Sequence, residues 1–375
     1  MYVPLDNAGD ASVTKHKVFS FFAGSGLLDL AFEKSGYEVP FVNEYFSPFA
    51  DAYKFSREAM GLAQPRQGIH VCSIEAFLDD KKELLRNAIM IERQDALSVG
   101  FIGGPPCPDF SIAGKNKGEH GENGKLSRSY FDLILLSKPD WFIFENVKGL
   151  YRTKKHREFF EEMKNKLSSE YALSERLFNS IEAGAPQDRD RIILFGVLKS
   201  VAKAANIDWE NGLRFPKRVA FEGFDWIETS PFGSNSTASK PNNIPIELTV
   251  QAWFDLNDVA QHPNSKDCFQ PRAGLAKFET IAEGDVSRKS SKRLHRWRYS
   301  PTAAYGNNEV HLHPYLPRRL NVAEALAIQS MPKEFILPPK MTLSNKFKTV
   351  GNGVPFLLGK HIAAQIKEFL EKHFV

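Results

Sequence analysis

A cysteine stands in a stiff, proline-rich turn in the first third of the chain. Gly103, Gly104, Pro105 and Pro106 come directly before Cys107, and a short apolar run precedes the turn. The prolines fix φ and remove backbone donors beside the thiol, while the glycines let the backbone approach a bulky group. This pattern can present a nucleophile at the end of a strand. A buried structural cysteine beside a turn would have the same local sequence.

An acid and an amide, Glu145 and Asn146, follow another apolar run at residues 141–144. A carboxyl group in such an apolar setting has a raised pKa and can exchange a proton with a substrate. The alternative is an ordinary acid that caps the start of the next helix.

Two arginines alternate just ahead of a further apolar run. Arg189 and Arg191 precede residues 192–197, and side chains two positions apart on a strand lie on one face. They could clamp a phosphate or a base oxygen. A surface ladder of salt bridges with Asp188 and Asp190 would give the same pattern.

A nucleotide-type loop lies near the N-terminus, between an apolar run and a helical pattern. Phe22 begins the loop, and Gly24 and Gly26 allow a ligand to approach the backbone where the helix starts. Glu44 follows about 20 residues later, where an acid can bind both ribose hydroxyls. Glu44 could instead be a solvated loop acid, and the neighbouring Tyr45 could stack on an adenine or belong to the core.

These residues need a scaffold, and the spacing of apolar residues predicts one. Strands are expected over residues 17–22, 39–43, 99–102, 141–144 and 192–197, and helices over 27–35, 47–60 and a segment ending near Lys138. Strands that alternate with helix-length segments indicate a parallel α/β sheet with crossover helices. Ligands of such sheets bind at the carboxyl ends of the strands, where Gly24, Glu44, Cys107 and Glu145 fall.

The composition is that of one large or two smaller domains. The chain has 375 residues, of which 42% are hydrophobic and 25% charged, and a formal net charge of +4. That length suffices for a well-buried core. Three cysteines, none in a Cys-x-x-Cys pair, argue against a disulfide framework or a cysteine-rich zinc site, and no metal is expected. No apolar run approaches the roughly 20 residues of a membrane helix, so we expect an intracellular protein.

Taken in order, these motifs resemble those of the DNA (cytosine-5)-methyltransferase family in its compact bacterial and phage form. The motifs Phe-x-Gly-x-Gly, Pro-Cys, Glu-Asn-Val and Gln-x-Arg-x-Arg stand at residues 22–26, 106–107, 145–147 and 187–191. Residues 318–332 and 350–355 resemble two later motifs of the family. The resemblance implies a Rossmann-like α/β sheet of the S-adenosylmethionine-dependent methyltransferases, with a smaller, irregular target-recognition domain.

The family's chemistry implies a role for each of the reactive residues. The thiolate of Cys107 would attack C6 of a cytosine, whose C5 then takes a methyl group from S-adenosylmethionine. Glu145 would hold N3 and the exocyclic amine of the base, and Arg191 would contact its oxygen. Arg189 would lie near the nucleophile and a phosphate, and Asn146 would brace the cysteine loop. The base must first be flipped out of the duplex.

The cofactor implied by the resemblance is S-adenosylmethionine, which leaves as S-adenosylhomocysteine. One position departs from the pattern, because Ser73 stands where the family often has an aspartate that contacts the adenine. The residues that the family pattern assigns to the cofactor are Phe22, Gly24, Gly26, Leu27, Glu44, Tyr45, Ser73, Ile74, Pro106 and Asn352.

The middle of the chain has poor helical and strand periodicity, and the family has its target-recognition region there. We therefore expect a catalytic and cofactor-binding domain at residues 1–199 and a target-recognition domain at 200–300. The C-terminal part, 301–375, would return to the catalytic domain.

Contacts with DNA are expected from two places. Ser111 and Lys115 belong to a polar, glycine-rich stretch that looks like the mobile loop that closes over the flipped base. Arg293, Arg296 and Arg298 belong to a basic run that could contact phosphates and the grooves. The alternative for that run is a solvated basic loop.

Two other interpretations stay open. A tRNA cytosine-5 methyltransferase of the same fold usually carries Thr at the position of Ser111 and a Cys-Phe-Thr signature, which this chain does not have. A non-catalytic DNA-binding relative tends to lose the nucleophile or the glutamate, and both are present. We expect double-stranded DNA as partner, a cognate restriction endonuclease that acts separately, no membrane, and a monomer. The expected location is cytoplasmic and nucleoid-associated, in a bacterial or phage host.

Overall fold

The core of the molecule is a seven-stranded sheet. A computed structural model of the chain describes residues 15–106, 122–233, 238–270, 275–288, 290–303, 305 and 310–374. The strands of this part are β1 (Lys15–Phe21), β2 (Glu38–Asn43), β3 (Ile69–His70), β4 (Ala96–Gly103), β5 (Trp141–Val147), β6 (Tyr171–Asn179), β7 (Gln187–Asp188), β8 (Asp190–Leu198), β9 (Lys292–Arg293), β10 (Ser300–Pro301) and β11 (His311–Leu312). The order in the large sheet is β3-β2-β1-β4-β5-β8-β6.

The direction of one strand differs from the prediction. Strands β3, β2, β1, β4 and β5 are parallel, but β8 runs antiparallel to both β5 and β6. The expectation of a parallel strand over residues 192–197 is therefore wrong. The cause is the connection over residues 180–189, which holds no helix that could carry the chain back across the sheet.

Helices cover both faces of the sheet. The helices of the described part are α1 (Leu27–Glu33), α2 (Ser47–Ala59), α3 (Lys82–Glu92), α4 (Glu122–Ser137), α5 (Lys154–Leu167), α6 (Lys217–Glu222), α7 (Val250–Leu256), α8 (Leu275–Glu279), α9 (Val322–Ile328), α10 (Leu343–Asn352) and α11 (Phe356–Glu371). Helices α3, α4 and α5 pack into one apolar core, and α1, α2 and α11 into the other.

Burial on both faces explains why the strand sequences are continuously apolar. In β5, Phe142 and Phe144 enter the core with α3 to α5, while Trp141 and Ile143 enter the core with α1 and α11. A parallel strand covered on both sides needs apolar residues at every position rather than at alternate ones. The strand continues to Val147, three residues past its predicted end, so that Glu145 and Asn146 lie within it.

The middle of the chain is built from short elements. Strand β9 pairs in parallel with β11, and β10 pairs with β7, each over two residues. A small core joins Trp253 and Phe254 of α7 to Leu320 and to Ile328 of α9. The pairing of β9 with β11 crosses residue 300, where the sequence predicts a domain boundary. The three predicted domain ranges stay a prediction.

The longest helices of the described ranges, α4 and α11, have 16 residues each. None of the described helices is long and apolar enough to span a membrane.

Candidate active site

Four strands end side by side at one edge of the sheet. Phe21 of β1 lies opposite Asn43 of β2 and Gly103 of β4, and Gly103 lies opposite Phe144 of β5. The segments that follow these residues emerge together. The glycine-rich loop after β1, the acid after β2, the turn after β4 and the acid near the end of β5 therefore meet at this edge.

The loop after β1 has an unusual backbone. Phe22, Gly24 and Gly26 have φ values of 56°, 59° and 88°, all in the left-handed region. A Cβ atom on Gly26 would lie 2.7 Å from the ring of Tyr53, so only glycine fits there. Positive φ at a non-glycine residue such as Phe22 is strained, and such strain is typical of functional loops.

Glu44 holds this loop with its carboxylate. Its Oε2 accepts a hydrogen bond from the Gly24 amide at 2.7 Å, and its Oε1 accepts one from the Phe46 amide at 2.8 Å. Burial raises the pKa of Glu44, and the two amides oppose that shift. Glu44 is thus a buried structural acceptor rather than a solvated loop acid.

Tyr45, next to this acid, leaves its ring exposed. Its exposed fraction is 72%, which rejects the alternative of a core residue. The ring is open to stack on a flat ligand, as large exposed aromatic side chains at binding sites do.

Ser73 and Ile74 begin a short helical turn beside the end of β2. The Ser73 hydroxyl accepts from the amide of Glu75, and the Ile74 side chain is buried in the core. Asn43 donates to the carbonyl of Cys72 at 2.8 Å, which ties this turn to the β2 end. The turn that carries both residues is therefore held beside the end of β2, which Glu44 follows, and their contact with a cofactor stays a prediction.

The C-terminal motif reaches the same loop from more than 300 residues away. The hydroxyl oxygens of Thr349, in α10, and Ser25 lie 2.8 Å apart and form a hydrogen bond. Asn352 is the last residue of α10, and a Cβ on Gly353 would collide with Leu27. The structure thus places Gly353, the residue after the predicted Asn352, against the predicted Leu27.

On the other side of the edge, Glu145 faces the turn that leads to the cysteine. Its Oε1 lies 2.6 Å from Nε of Arg191, and a Cβ on Gly104 would come within 2.5 Å of its Oε2. Burial raises the pKa of Glu145, and the charges of Arg191 and Arg189 oppose the shift. The pairing excludes the alternative of a helix-capping acid.

This side of the site has unused hydrogen-bonding capacity. Glu145 Oε1, Asn146 Nδ2, Arg189 Nε and Arg191 Nε are buried and have no hydrogen-bond partner among the described residues. Two of these atoms, Glu145 Oε1 and Arg191 Nε, lie 2.6 Å apart in an ion pair with each other. Because buried polar atoms are almost always hydrogen-bonded, such a cluster is typical of a site that receives a polar ligand.

Arg189 is buried and cross-links three segments. It donates to the carbonyl of Ala303 at 2.9 Å, to the carbonyl of Gly351 at 2.6 Å and to the side chain of Gln187 at 3.3 Å. Burial lowers the pKa of Arg189. Neither Arg189 nor Arg191 belongs to a surface ladder of salt bridges.

Three of the predicted residues lie outside the described residues: Cys107, Ser111 and Lys115. Pro106 is the last residue described before them, and it follows Gly104, where an added Cβ would lie 2.5 Å from Glu145 Oε2. Within the described ranges there is no group of three or more His, Cys, Asp or Glu residues that could hold a metal ion.

The structure corrects the prediction for Arg293. This side chain is 0% exposed, and its guanidinium donates to the carbonyls of Phe278, Ile281, His313 and Leu316. All of its donors point into the protein, so it cannot reach a phosphate in this conformation. A basic run in a sequence does not reveal which cations bind carbonyls internally.

The other two cations of that run differ from each other. Arg296 makes a two-point pair with the buried Glu283, at 2.8 Å from Nε to Oε1 and 2.8 Å from Nη2 to Oε2. Arg298 is half-buried above the ring of Tyr299 and has no ion pair with a described residue. Arg298 is therefore the member of the three whose charge is still available.

Sequence reasoning missed one support of the glycine-rich loop. Asp29 of α1 is buried and accepts from Ser20 Oγ at 2.7 Å and from the Tyr53 hydroxyl at 3.0 Å. The Tyr53 ring in turn packs against Gly26. The available signal was an acid on the apolar face of a helix, among Leu27, Leu30 and other buried residues.

A mostly parallel sheet with a glycine-rich loop, an acid after the second strand and a buried Glu145–Arg191 pair at the same edge is typical of an α/β methyltransferase. The chain belongs to the family of C-5 cytosine-specific DNA methylases, whose model matches residues 16–368. The protein is therefore a DNA (cytosine-5)-methyltransferase. The predicted family and fold class are confirmed.

The relatives are restriction–modification methyltransferases. The chain is 58% identical to the Type II methyltransferase M.NmeDI of Neisseria meningitidis serogroup C, over 96% of this chain and 85% of that protein. It is 26% identical to the Type II methyltransferase M.FnuDI of Fusobacterium nucleatum, over 94% and 95%.

Solved structures share the fold. A candidate DNA modification methyltransferase encoded within an E. coli prophage matches with a TM-score of 0.63 and 21% identity, over 96% of this chain and all of that one. The S. pombe Dnmt2 methyltransferase matches with a TM-score of 0.56 and 12% identity, over 95% and 98%.

Proposed function

We propose that this enzyme methylates C5 of a flipped-out cytosine that Glu145 and Arg191 hold beside Cys107. The observation that carries the proposal is the ion pair of Glu145 and Arg191 at the end of β5, whose buried polar atoms lack hydrogen-bond partners among the described residues, next to the turn that leads to the cysteine. A cytosine presents a ring nitrogen, an amine and a carbonyl oxygen on one edge, which match a carboxyl group and an arginine.

The carboxyl group suits both contacts because burial raises its pKa. A protonated Glu145 donates to N3 of the base, and its other oxygen accepts from the exocyclic amine. Nε of Arg191 donates to the base oxygen. Withdrawing electrons from the ring in this way makes C6 susceptible to attack.

In the reaction, the thiolate of Cys107 forms a bond to C6, and the electron pair of the C5–C6 double bond becomes available at C5. C5 gains the methyl group and then loses its proton to a base. The electrons of that C–H bond restore the double bond, and the thiolate leaves C6. Cys107 is regenerated, so it acts as a covalent catalyst.

The cofactor half of the edge fits S-adenosylmethionine. When bound, it supplies an electrophilic methyl group and becomes S-adenosylhomocysteine. The Glu44 carboxylate retains lone pairs beyond the two amides and would accept from ribose hydroxyls. The open Tyr45 ring would stack on the adenine. The residues that would complete this site are Phe22, Gly24, Gly26, Leu27, Ser73, Ile74, Pro106 and Asn352.

The proposed partner is double-stranded DNA with one short recognition sequence. The Type II relatives support a cognate restriction endonuclease that acts separately on the same sequence. We also propose that the enzyme is a monomer and that it is located in the cytoplasm, near the nucleoid.

Bisulfite sequencing of plasmid DNA from cells that express the chain tests this function. Wild type should protect cytosines in one short motif, and Cys107→Ser should protect none while its affinity for S-adenosylmethionine stays unchanged. The loss should be at least about 1,000-fold, as for other removed nucleophiles. Equal protection by Cys107→Ser would contradict the mechanism. Complete conversion by a folded wild type that binds the cofactor would favour an RNA substrate or a non-catalytic role.

A further inference from the structure

A second basic surface lies next to the catalytic pocket. The segment Lys148–Arg157 contains five cations and no acid, and it starts three residues after Glu145. Three residues of chain span at most about 11 Å, so the segment begins within that distance of Glu145.

The backbone of this segment is rigid. Residues 148–151 form a short helical turn whose Leu150 is buried in the core. Helix α5 follows, capped by Thr153, whose hydroxyl accepts from the His156 amide at 3.1 Å. Phe159 and Phe160 anchor the other face of α5 in the same core. The segment therefore presents its cations from a fixed surface.

Three of the five cations form no ion pair within the described part of the chain. Lys148 pairs with Asp190 at 2.9 Å, and Lys154 lies 3.7 Å from Glu158. The remaining three, Arg152, Lys155 and Arg157, are exposed and form no ion pair with a described residue.

The charge of this surface contrasts with that of the predicted DNA-binding run. In that run, Arg293 donates its hydrogen bonds to backbone carbonyls, and Arg296 is paired with the buried Glu283. The first turn of α5 also has no acid, although acids are the usual residues at that end of a helix. Lys155 and Arg157 flank the buried face of α5 at the end of the helix that follows β5, and unpaired cations at one end of a helix favour binding of an anionic partner.

We propose that Arg152, Lys155 and Arg157 bind phosphates of the DNA strand that carries the target cytosine, next to the flipped nucleotide. The inference rests on the proposed function, in which a base enters the pocket of Glu145. A base in that pocket brings its own sugar–phosphate backbone to the rim. Because each strand carries a phosphate at every nucleotide, phosphates flanking the base pass over this surface.

The test is the salt dependence of duplex binding. The variant carries Arg152→Gln, Lys155→Gln and Arg157→Gln, and the probe is a 30-base-pair duplex, roughly three helical turns, that contains the sequence found by bisulfite sequencing. Each lost phosphate contact lowers the slope of log K against log salt by about 0.9, so the triple variant should lose about 2.7. Each single variant should lose about 0.9.

A matched control removes the same charge at the opposite edge of the sheet. Lys138→Gln, Lys367→Gln and Lys372→Gln also lower the net charge by three, and these lysines pair with Glu170, Glu371 and Glu368 at the surface. The control should keep the wild-type slope. Both variants should keep the wild-type affinity for S-adenosylmethionine and the wild-type Tm.

The outcomes separate this inference from the proposed function. A wild-type slope in the variant at residues 152, 155 and 157, or the same loss in the control, would overturn the phosphate contacts and leave the methylation proposal intact. A wild type that binds no DNA and protects no cytosine would overturn the proposed function itself. A loss confined to the first variant supports the inference.

Discussion

The two halves of the sheet's carboxyl edge hold their buried carboxylates in opposite ways. Glu44, after β2, accepts hydrogen bonds from two backbone amides. Glu145, in β5, faces the side chain of Arg191 and keeps an oxygen without a hydrogen-bond partner among the described residues. Burial raises the pKa of both acids.

This difference separates positioning from chemistry. A carboxylate held by backbone amides fixes the loop that a cofactor enters, and its own hydrogen bonds are formed before any ligand arrives. A carboxyl group among side-chain atoms that lack hydrogen-bond partners in the described residues is prepared for a substrate that will form those hydrogen bonds. We therefore expect changes in the first half to alter binding and changes in the second half to alter rate.

The largest effect should come from Glu145→Gln. The amide of glutamine can form both hydrogen bonds to the base, but it cannot transfer a proton to N3 as a protonated carboxyl group does, so kcat should fall by about 100- to 10,000-fold. The affinity for S-adenosylmethionine should not change. Single-turnover methyl transfer and calorimetric titration of the cofactor measure the two quantities.

Glu44→Gln is the matched variant in the other half. One of its two amide contacts becomes a clash between donors, so the cofactor Kd should rise about tenfold while the rate at saturating cofactor stays near wild type. If Glu44→Gln lowers only the rate and Glu145→Gln weakens only the cofactor, the contrast between the halves is wrong.

A smaller effect is expected from Gly104→Ala. The new Cβ would lie 2.5 Å from Oε2 of Glu145 and must displace that carboxyl group. A misplacement of about 1 Å can cost up to roughly 100-fold in rate, and we expect a loss of about tenfold or more in kcat without a change in cofactor Kd. Gly233→Ala is the control, because its Cβ meets nothing within 4 Å. Wild-type kcat in Gly104→Ala would show that Glu145 is not held tightly.

The smallest effect concerns the support behind the cofactor half. Burial raises the pKa of Asp29 to about 7, against the hydrogen bonds from Ser20 and Tyr53. A folded-state pKa above the unfolded value of about 3.9 means that the folded state binds the proton more tightly. Its contribution to stability is fully present below about pH 4 and is lost as the pH rises through 7. Glu33 and Arg57 also act on this carboxyl group.

Asp29→Asn removes this proton linkage. The Tm of the variant should therefore fall less than that of wild type between about pH 5 and 8, with a difference of a few degrees across that range. Thermal unfolding at several pH values, fitted as the difference between the two proteins, measures it. Parallel profiles would show that Asp29 titrates normally and that the cofactor half does not rest on a protonated acid.

The sequence predicted the strands that bear motifs and missed those that do not. β1, β2, β4, β5 and β8 lie where continuous apolar runs predict them, because burial on both faces leaves a clear pattern. β6 has a polar middle and β3 has two residues, so neither has a pattern to read. The antiparallel direction of β8 was invisible because an apolar run is the same in either direction.

The sequence also predicted the position of some site residues and not of others. Glu44, Glu145 and Arg191 lie at one edge as the motif order implies, although their roles toward ligands stay predictions. Arg293 shows the limit, because a cation in a basic run has the same sequence signature whether it faces DNA or four carbonyl groups. Only the packing around it settles the difference.

The sequence by itself determined the family, the chemistry that its motifs imply and the positions along the chain of the strands that carry them. These depend on residue type and short spacing, which local conformation follows. The tertiary structure alone decided that Thr349 meets Ser25, that Arg189 binds Gly351, and that Arg293 binds four backbone carbonyls. Such contacts join residues that are far apart in the chain, so they depend on how the whole core packs and not on any segment of it.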